Sequence, residues 1–267
     1  MADFLQMNFR RTDISMQELT PDFIKEFAAY LANDRGLASS TIWLTCMHLK
    51  GVVGRAHDNG KKQRNVFAQF HISPKCKERT FLTEEELKKV MAHEFEDANL
   101  AFVRDLFVFM NFTAFSFVDL KELTTDNIVE VNGEKWIVGK RHKTGVPFQV
   151  KLLAVPLQII ERYRDYPKAN PKSVFGEVNY WSVCKKLKPV TKECGIDKPI
   201  SAHYARHGFA TMAITNGMPI ESVSRVLGHT NIVTTQIYAR ITTQKLDNDL
   251  TMLGNKLNQS FSNIKRA

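Results

Sequence analysis

A chain of 267 residues with 37 Lys and Arg against 28 Asp and Glu carries a formal charge of +9, which suits two modest domains and favours a polyanionic partner, nucleic acid first. Its composition is 43% hydrophobic and 24% charged; no window approaches the roughly 20 apolar residues that cross a bilayer, and Met1 to Arg10 lacks the order of a secretory signal. A cytoplasmic protein is expected, and Cys46, Cys76, Cys184 and Cys194, without a C-x-x-C pair or zinc-ligand spacing, indicate neither disulfides nor a structural metal.

Along the chain, Thr20-Pro21-Asp22 supplies a cap and an N1 proline for a helix over Phe23 to Leu31. Ser39-Ser40 opens a second helix toward Val53, with Gly36 between the two. Basic and polar residues gather at Lys61 to Arg64 and at Lys75 to Arg79 around Pro74, and the domain boundary is drawn there, giving 1–76 and 77–267. Thr83 and the acidic run Glu84-Glu85-Glu86 start the next helix, with charges suited to the positive end of its dipole. No Gly or Pro interrupts Leu87 to Leu123, so two core helices are expected, broken near Asp97-Ala98-Asn99.

A β-rich insert follows. Ile128 to Val131 and Trp136 to Val138 flank Asn132-Gly133, a pair that accepts the positive φ angles of a type I′ turn. Phe148 to Leu152 adds a third strand after the turn around Lys143-Thr144-Gly145. Beyond Pro156 the signals are helical, with breaks at Pro167, Pro171, Gly195, Pro199 and Gly217. Thr242 to Phe261 is amphipathic through Leu246, Leu250, Leu253 and Leu257, a face for its own domain or for a neighbouring protomer. The expected fold class is mainly α with a small antiparallel β-sheet, α+β.

The sharpest chemical signal is the run from Ser201 to Gly208. His203 and Arg206 stand three apart and so share a helical face, His207 follows, and Ser201 is a plausible N-cap. Leu227-Gly228-His229 comes next, and nine residues later Tyr238. Taken together, H-x-x-R-H, L-G-H and the following tyrosine resemble the C-terminal motif set of the tyrosine recombinase family, the lambda-type integrases of phages and conjugative elements. Lys143 in Arg141-His142-Lys143-Thr144-Gly145 is similar to the catalytic lysine that family members carry on the turn between their second and third strands.

One position departs from the family pattern. Thr113 to Leu120 falls where the family has T-G-L-R-x-x-E-L, so Ser116 stands where the first catalytic arginine is expected and Ala114 where glycine is. A hydroxyl gives one neutral hydrogen bond where a guanidinium gives a charged fork, and losing such a donor costs about 3 kcal/mol in a charge-developing site. Some integrases of conjugative elements resemble this chain in that departure. Arg104, twelve residues earlier, is the substitute proposed from sequence; loss of cleavage is the other outcome.

The resemblance implies a site-specific DNA recombinase that cleaves and rejoins strands through a 3′-phosphotyrosyl intermediate and a Holliday junction. Tyr238 would be the nucleophile, His203 the general base, Arg206 and His229 the donors to the non-bridging oxygens, and Lys143 the acid for the leaving 5′-oxygen. The scheme needs no metal, no ATP and no other cofactor. It implies a helical core-binding domain over 1–76, shortened and without room for a separate arm-binding domain, and a catalytic domain over 77–267. The implied partners are double-stranded DNA, a homotetramer on paired sites formed from subunits that are monomeric without DNA, and DNA-bending accessory proteins. Two other readings stay open. Ile220 to Ile237 fits a helix-turn-helix pattern through Val223, Leu227, Gly228 and Ile237, as in a non-catalytic DNA-binding regulator. A type IB topoisomerase shares the fold and the nucleophile, although L-G-H-T at Leu227 to Thr230 points to a recombinase.

Overall fold

A computed structural model describes residues 1–60, 64–73, 80–166, 170–238 and 243–261. The basic stretch Lys75 to Arg79, Pro74, Cys76, the break at Pro167 and Thr242 lie outside these residues. The chain divides into two compact units, Met1–Glu78 and Arg79–Ala267.

The first unit is helical: α1 (Ala2–Phe9), α2 (Pro21–Asn33) and α3 (Ser39–Asp58). Thr20 caps α2 by accepting from the Phe23 N–H, with Pro21 in the first turn as its sequence suggests. Its core is aromatic, built where Phe4 of α1 meets Phe23, Phe27 and Tyr30 of α2 at ring separations of 5.2–5.4 Å. Sequence reading gave no element to Ala2–Phe9, yet Phe4 and Leu5 are buried on α2. The helix opened at Ser39 runs to Asp58, past the expected end.

The second unit is organised around α5 (Ala98–Thr113), preceded by α4 (Glu84–Ala92) and followed by the short α6 (Phe117–Lys121). Along its second half α5 is buried on nearly every side, as a helix apolar all round must be, and it is covered by α7 (Ala154–Arg162), α8 (Tyr180–Glu193) and α9 (Ala202–Thr215). Asp105, buried within it, is met by Arg162 at 2.6 Å, the Tyr163 hydroxyl at 2.8 Å and Arg104 at 2.5 Å. Strands β1 (Ile128–Val131), β2 (Glu134–Lys140) and β3 (Pro147–Lys151) form an antiparallel meander, with Val131 opposite Glu134 and Gly139 opposite Phe148. Asn132 and Gly133 both take positive φ, 53° and 77°, the geometry that the Asn-Gly pair anticipates.

The stretch Leu87 to Leu123 holds three helices, not two. The additional break lies at Ala114, which caps α5 in the left-handed region at φ 58°, and at Ser116, which forms a capping box with Asp119 at the start of α6. Downstream come α10 (Ile220–Leu227), α11 (Val233–Gln236) and α12 (Thr243–Phe261). With four residues, α11 is barely one turn, too short for the second helix of the helix-turn-helix reading to lie along a major groove. On α12, Leu246, Leu250, Leu253 and Leu257 are exposed. Among the described residues no helix is long and apolar enough to cross a membrane.

Candidate active site

Helix α9 is drawn close to α5 by a small residue. A Cβ on Gly208 would lie 2.3 Å from Asn111 Oδ1, so a larger residue there would have to displace the Asn111 side chain. That contact sets the neighbouring turn of α9 beside the C-terminal end of α5. Arg206 Nη1 donates to the Ala114 carbonyl at 2.9 Å, and Nη2 donates to the Leu227 carbonyl at the end of α10. The guanidinium therefore ties together two helix C-termini, whose orphan carbonyls need donors. Burial pushes Arg206 down to about 10, helped by the positive charge of Arg141 and opposed by Asp119 and Tyr238.

Gly228, left-handed at φ 65°, ends α10 and turns the chain into His229. A Cβ there would meet Arg141 Cγ at 2.7 Å. The glycine of L-G-H is thus needed twice, for its backbone angle and for the arginine packed on it. His229 Nδ1 lies 2.8 Å from the buried Thr235 hydroxyl. Burial, then the charges of Arg206 and Arg141, push its imidazole down to about 4, so it is neutral near pH 7 and able to donate from one nitrogen.

Arg141 follows β2 directly and is buried, its side chain 5% exposed. Nη1 donates to Asp119 Oδ2 at 2.9 Å, Nη2 donates to the Val226 carbonyl at 2.5 Å, and the guanidinium carbon stands 4.1 Å from the Phe148 ring centroid and 5.2 Å from that of Phe115. Asp119 also accepts from the Ser116 hydroxyl at 2.8 Å and from the His142 N–H at 3.2 Å. Burial alone would raise the Asp119 carboxyl, but Arg141, the Ser116 hydroxyl and these backbone donors hold it below the usual carboxylate range. Position 116 thus contributes a hydroxyl that orients a carboxylate, and the carboxylate holds a guanidinium delivered from the sheet.

Tyr238, two residues past α11, is half-buried and has its hydroxyl 2.5 Å from Nδ1 of His207. His203, one turn earlier on α9, is exposed and sets its ring edge-on to His207 at 4.6 Å. Beside it opens a cavity of about 560 Å³ lined by Ser116, Lys121, Tyr180, Trp181 and His203 among others. Lys143 lies exposed on the β2–β3 turn, two residues beyond Arg141. That turn is pinned by the Arg141 N–H to the Val146 carbonyl and the Gly145 N–H to the Arg141 carbonyl, both at 2.8 Å, and by His142 against Glu122 at 2.8 Å.

Arg104 is not brought to this cluster. It is bound by the Met91 and His93 carbonyls at 3.1 and 3.0 Å and by Asp105. Ten residues of α5 separate it from Ala114, about 15 Å along the axis. The substitution expected from sequence therefore fails on distance. Sequence reading also missed Arg141 and Asp119, whose signals were the arginine two before the turn lysine and the S-x-x-D capping pattern at Ser116. It missed the contact made by His207, which is four residues after His203 and so on the same helical face.

The profile of the Phage integrase SAM-like domain matches residues 1–72, and that of the Phage integrase family matches residues 80–245. Tyrosine recombinase XerD of Listeria monocytogenes is 46% identical over 67 residues, 25% of this chain and 22% of that protein. Tyrosine recombinase XerA of Pyrococcus horikoshii is 30% identical over 174 residues, 62% of this chain and 58% of that protein. The matched parts thus span about a fifth of the first relative and a little under three fifths of the second. Among solved structures, the Tn1549 transposon integrase in complex with circular intermediate DNA superposes with a TM-score of 0.71 at 17% identity, covering 92% of this chain and 89% of that one. The XerH recombinase bound to its palindromic difH substrate gives 0.72 at 20% identity, covering 94% and 77%. These structures share the fold: mostly helical, with a small three-stranded antiparallel sheet. With its family profile matched across 80–245, the chain belongs to the phage integrase family.

Proposed function

We propose that this protein is a site-specific DNA recombinase that cleaves and rejoins strands through Tyr238. The observation that carries the reading is the convergence of two guanidiniums on the L-G-H turn: Arg206 donates to the Leu227 carbonyl and buried Arg141 to the Val226 carbonyl, immediately before Gly228 and His229. A pocket with that much fixed positive charge and donors left over suits a phosphodiester gathering negative charge in its transition state.

In this reading Tyr238 Oη attacks the phosphorus and becomes joined to the 3′-phosphate, while the 5′-oxygen departs with a proton from Lys143 on the β2–β3 turn. Arg206 and His229 donate to the non-bridging oxygens. Ser116 occupies the place of the family's first arginine, and Arg141 supplies the missing guanidinium, fixed by the carboxylate that Ser116 orients. The histidines of α9 receive the phenol proton. Because the phosphodiester's energy is kept in the phosphotyrosine, rejoining requires no nucleotide cofactor.

Residues 1–76 serve as the helical core-binding domain and 77–267 as the catalytic domain, with double-stranded DNA as substrate. Two sites paired by a homotetramer are the assembly that strand exchange calls for, and the exposed leucines of α12 are its expected contact between protomers. The test is incubation with a nicked duplex that traps cleaved ends: a protein–DNA adduct that survives denaturation is expected for wild type and not for Tyr238→Phe. Tight DNA binding with no adduct would leave the regulator reading instead.

A further inference from the structure

We propose that His207 takes the proton from Tyr238 as the phenol attacks, with His203 acting one step further out; this rests on the recombinase reading above. A phenol has a pKa near 10 and is a weak nucleophile unless it loses its proton during attack. The group that removes that proton must lie within hydrogen-bond reach, about 2.6–3.2 Å. His207 Nδ1 is 2.5 Å from Tyr238 Oη. His207 is 3% exposed, so packing fixes its side chain, and its ring centroid lies 5.3 Å from that of Tyr238. His203 is exposed and meets the His207 ring edge-on at 4.6 Å, a solvent-facing neighbour one turn away.

With the phenol donating, Nδ1 is the acceptor and His207 is the Nε2–H tautomer. In the step, the Oη–P bond forms as the Oη proton moves to Nδ1, and the P–O5′ bond breaks as Lys143 protonates the leaving oxygen. On rejoining, the imidazolium returns its proton to Oη. Arg206, the preceding residue, is the adjacent positive charge, and the Tyr204 ring lies 5.9 Å from that of His207.

The test compares His207→Gln and His203→Gln in single-turnover adduct formation on nicked DNA, each with tyrosine or the more acidic trifluorotyrosine at position 238. Glutamine keeps a polar contact but takes no proton. His207→Gln is expected to slow cleavage by about a hundredfold or more, and the acidic nucleophile is expected to restore most of that loss. Unchanged cleavage in His207→Gln, or a loss that trifluorotyrosine leaves in place, would overturn the proposal. Should His207→Gln not fold, ¹⁵N-histidine NMR of the wild-type protein decides. An unprotonated Nδ1 at neutral pH is expected, and a proton on Nδ1 overturns the proposal. If wild type forms no adduct, the recombinase reading falls and this inference with it; a wild-type adduct with unaffected His207→Gln removes this inference alone.

Discussion

Arg141 is the residue whose removal separates this site from the family pattern most clearly. Arg141→Ala leaves Asp119, 6% exposed, as a buried carboxylate without its cation. Breaking a buried pair from one side costs about 3–5 kcal/mol. At about 2–4 °C per kcal/mol for a unit of this size, the melting temperature should fall by roughly 6–20 °C. The loss of one preorganised donor from the transition state adds about 3 kcal/mol to the barrier, at least a hundredfold in rate. Arg141→Lys isolates the second effect: it keeps the charge, but an ammonium cannot span Asp119 and the Val226 carbonyl with the guanidinium's fork. We expect Arg141→Lys to remain folded at the assay temperature and to cleave at least tenfold more slowly. Adduct formation by denaturing gel, with calorimetric melting on the same preparation, measures both. Wild-type cleavage by folded Arg141→Lys would refute the assignment of Arg141 as the second guanidinium.

Gly228→Ala should weaken the same group from the other side, because the added Cβ meets Arg141 Cγ at 2.7 Å and the backbone angle is left-handed; a loss of about 2–4 kcal/mol by denaturant titration, with slower cleavage, is expected. Arg104→Ala should lower the melting temperature, since it removes donors to Met91 and His93 and a partner of Asp105, yet leave the cleavage rate per folded molecule unchanged. Stability should decline as pH falls from 6.5 toward 4. His229 is held near 4 in the folded state against an ordinary 6.5, so across that window the unfolded chain binds the extra proton. In His229→Gln the decline across that window should flatten in urea melts, while the contribution of Asp119, also held low, persists at more acid pH.

The fold class was readable because its signals are local. Thr20-Pro21 marks a helix start, Asn132-Gly133 a hairpin, and the apolar run through Phe107 and Met110 a helix buried on all sides. What was missed depends on partners distant in the chain. The break at Ala114 has no glycine to announce it, and the left-handed alanine is held where Arg206 reaches its carbonyl from 92 residues away. Arg141 reads as one more basic residue in a turn until Asp119, 22 residues earlier, and Val226, 85 residues later, are seen to grip it. Arg104 shows the reverse error: on an apolar helix it resembled a buried functional charge, but the end of α4 and Asp105 already occupy it. The resemblance assigned the base to His203, yet His207, four residues on along the same helix, is the histidine whose Nδ1 meets the phenol.

The most direct measurement is to trap the covalent adduct on nicked DNA, digest it with trypsin and nuclease, and sequence the modified peptide by mass spectrometry. The expected product is a single nucleotide joined through its 3′-phosphate to Tyr238, with a free 5′-hydroxyl on the released strand. A link at another residue, or through a 5′-phosphate, would contradict it.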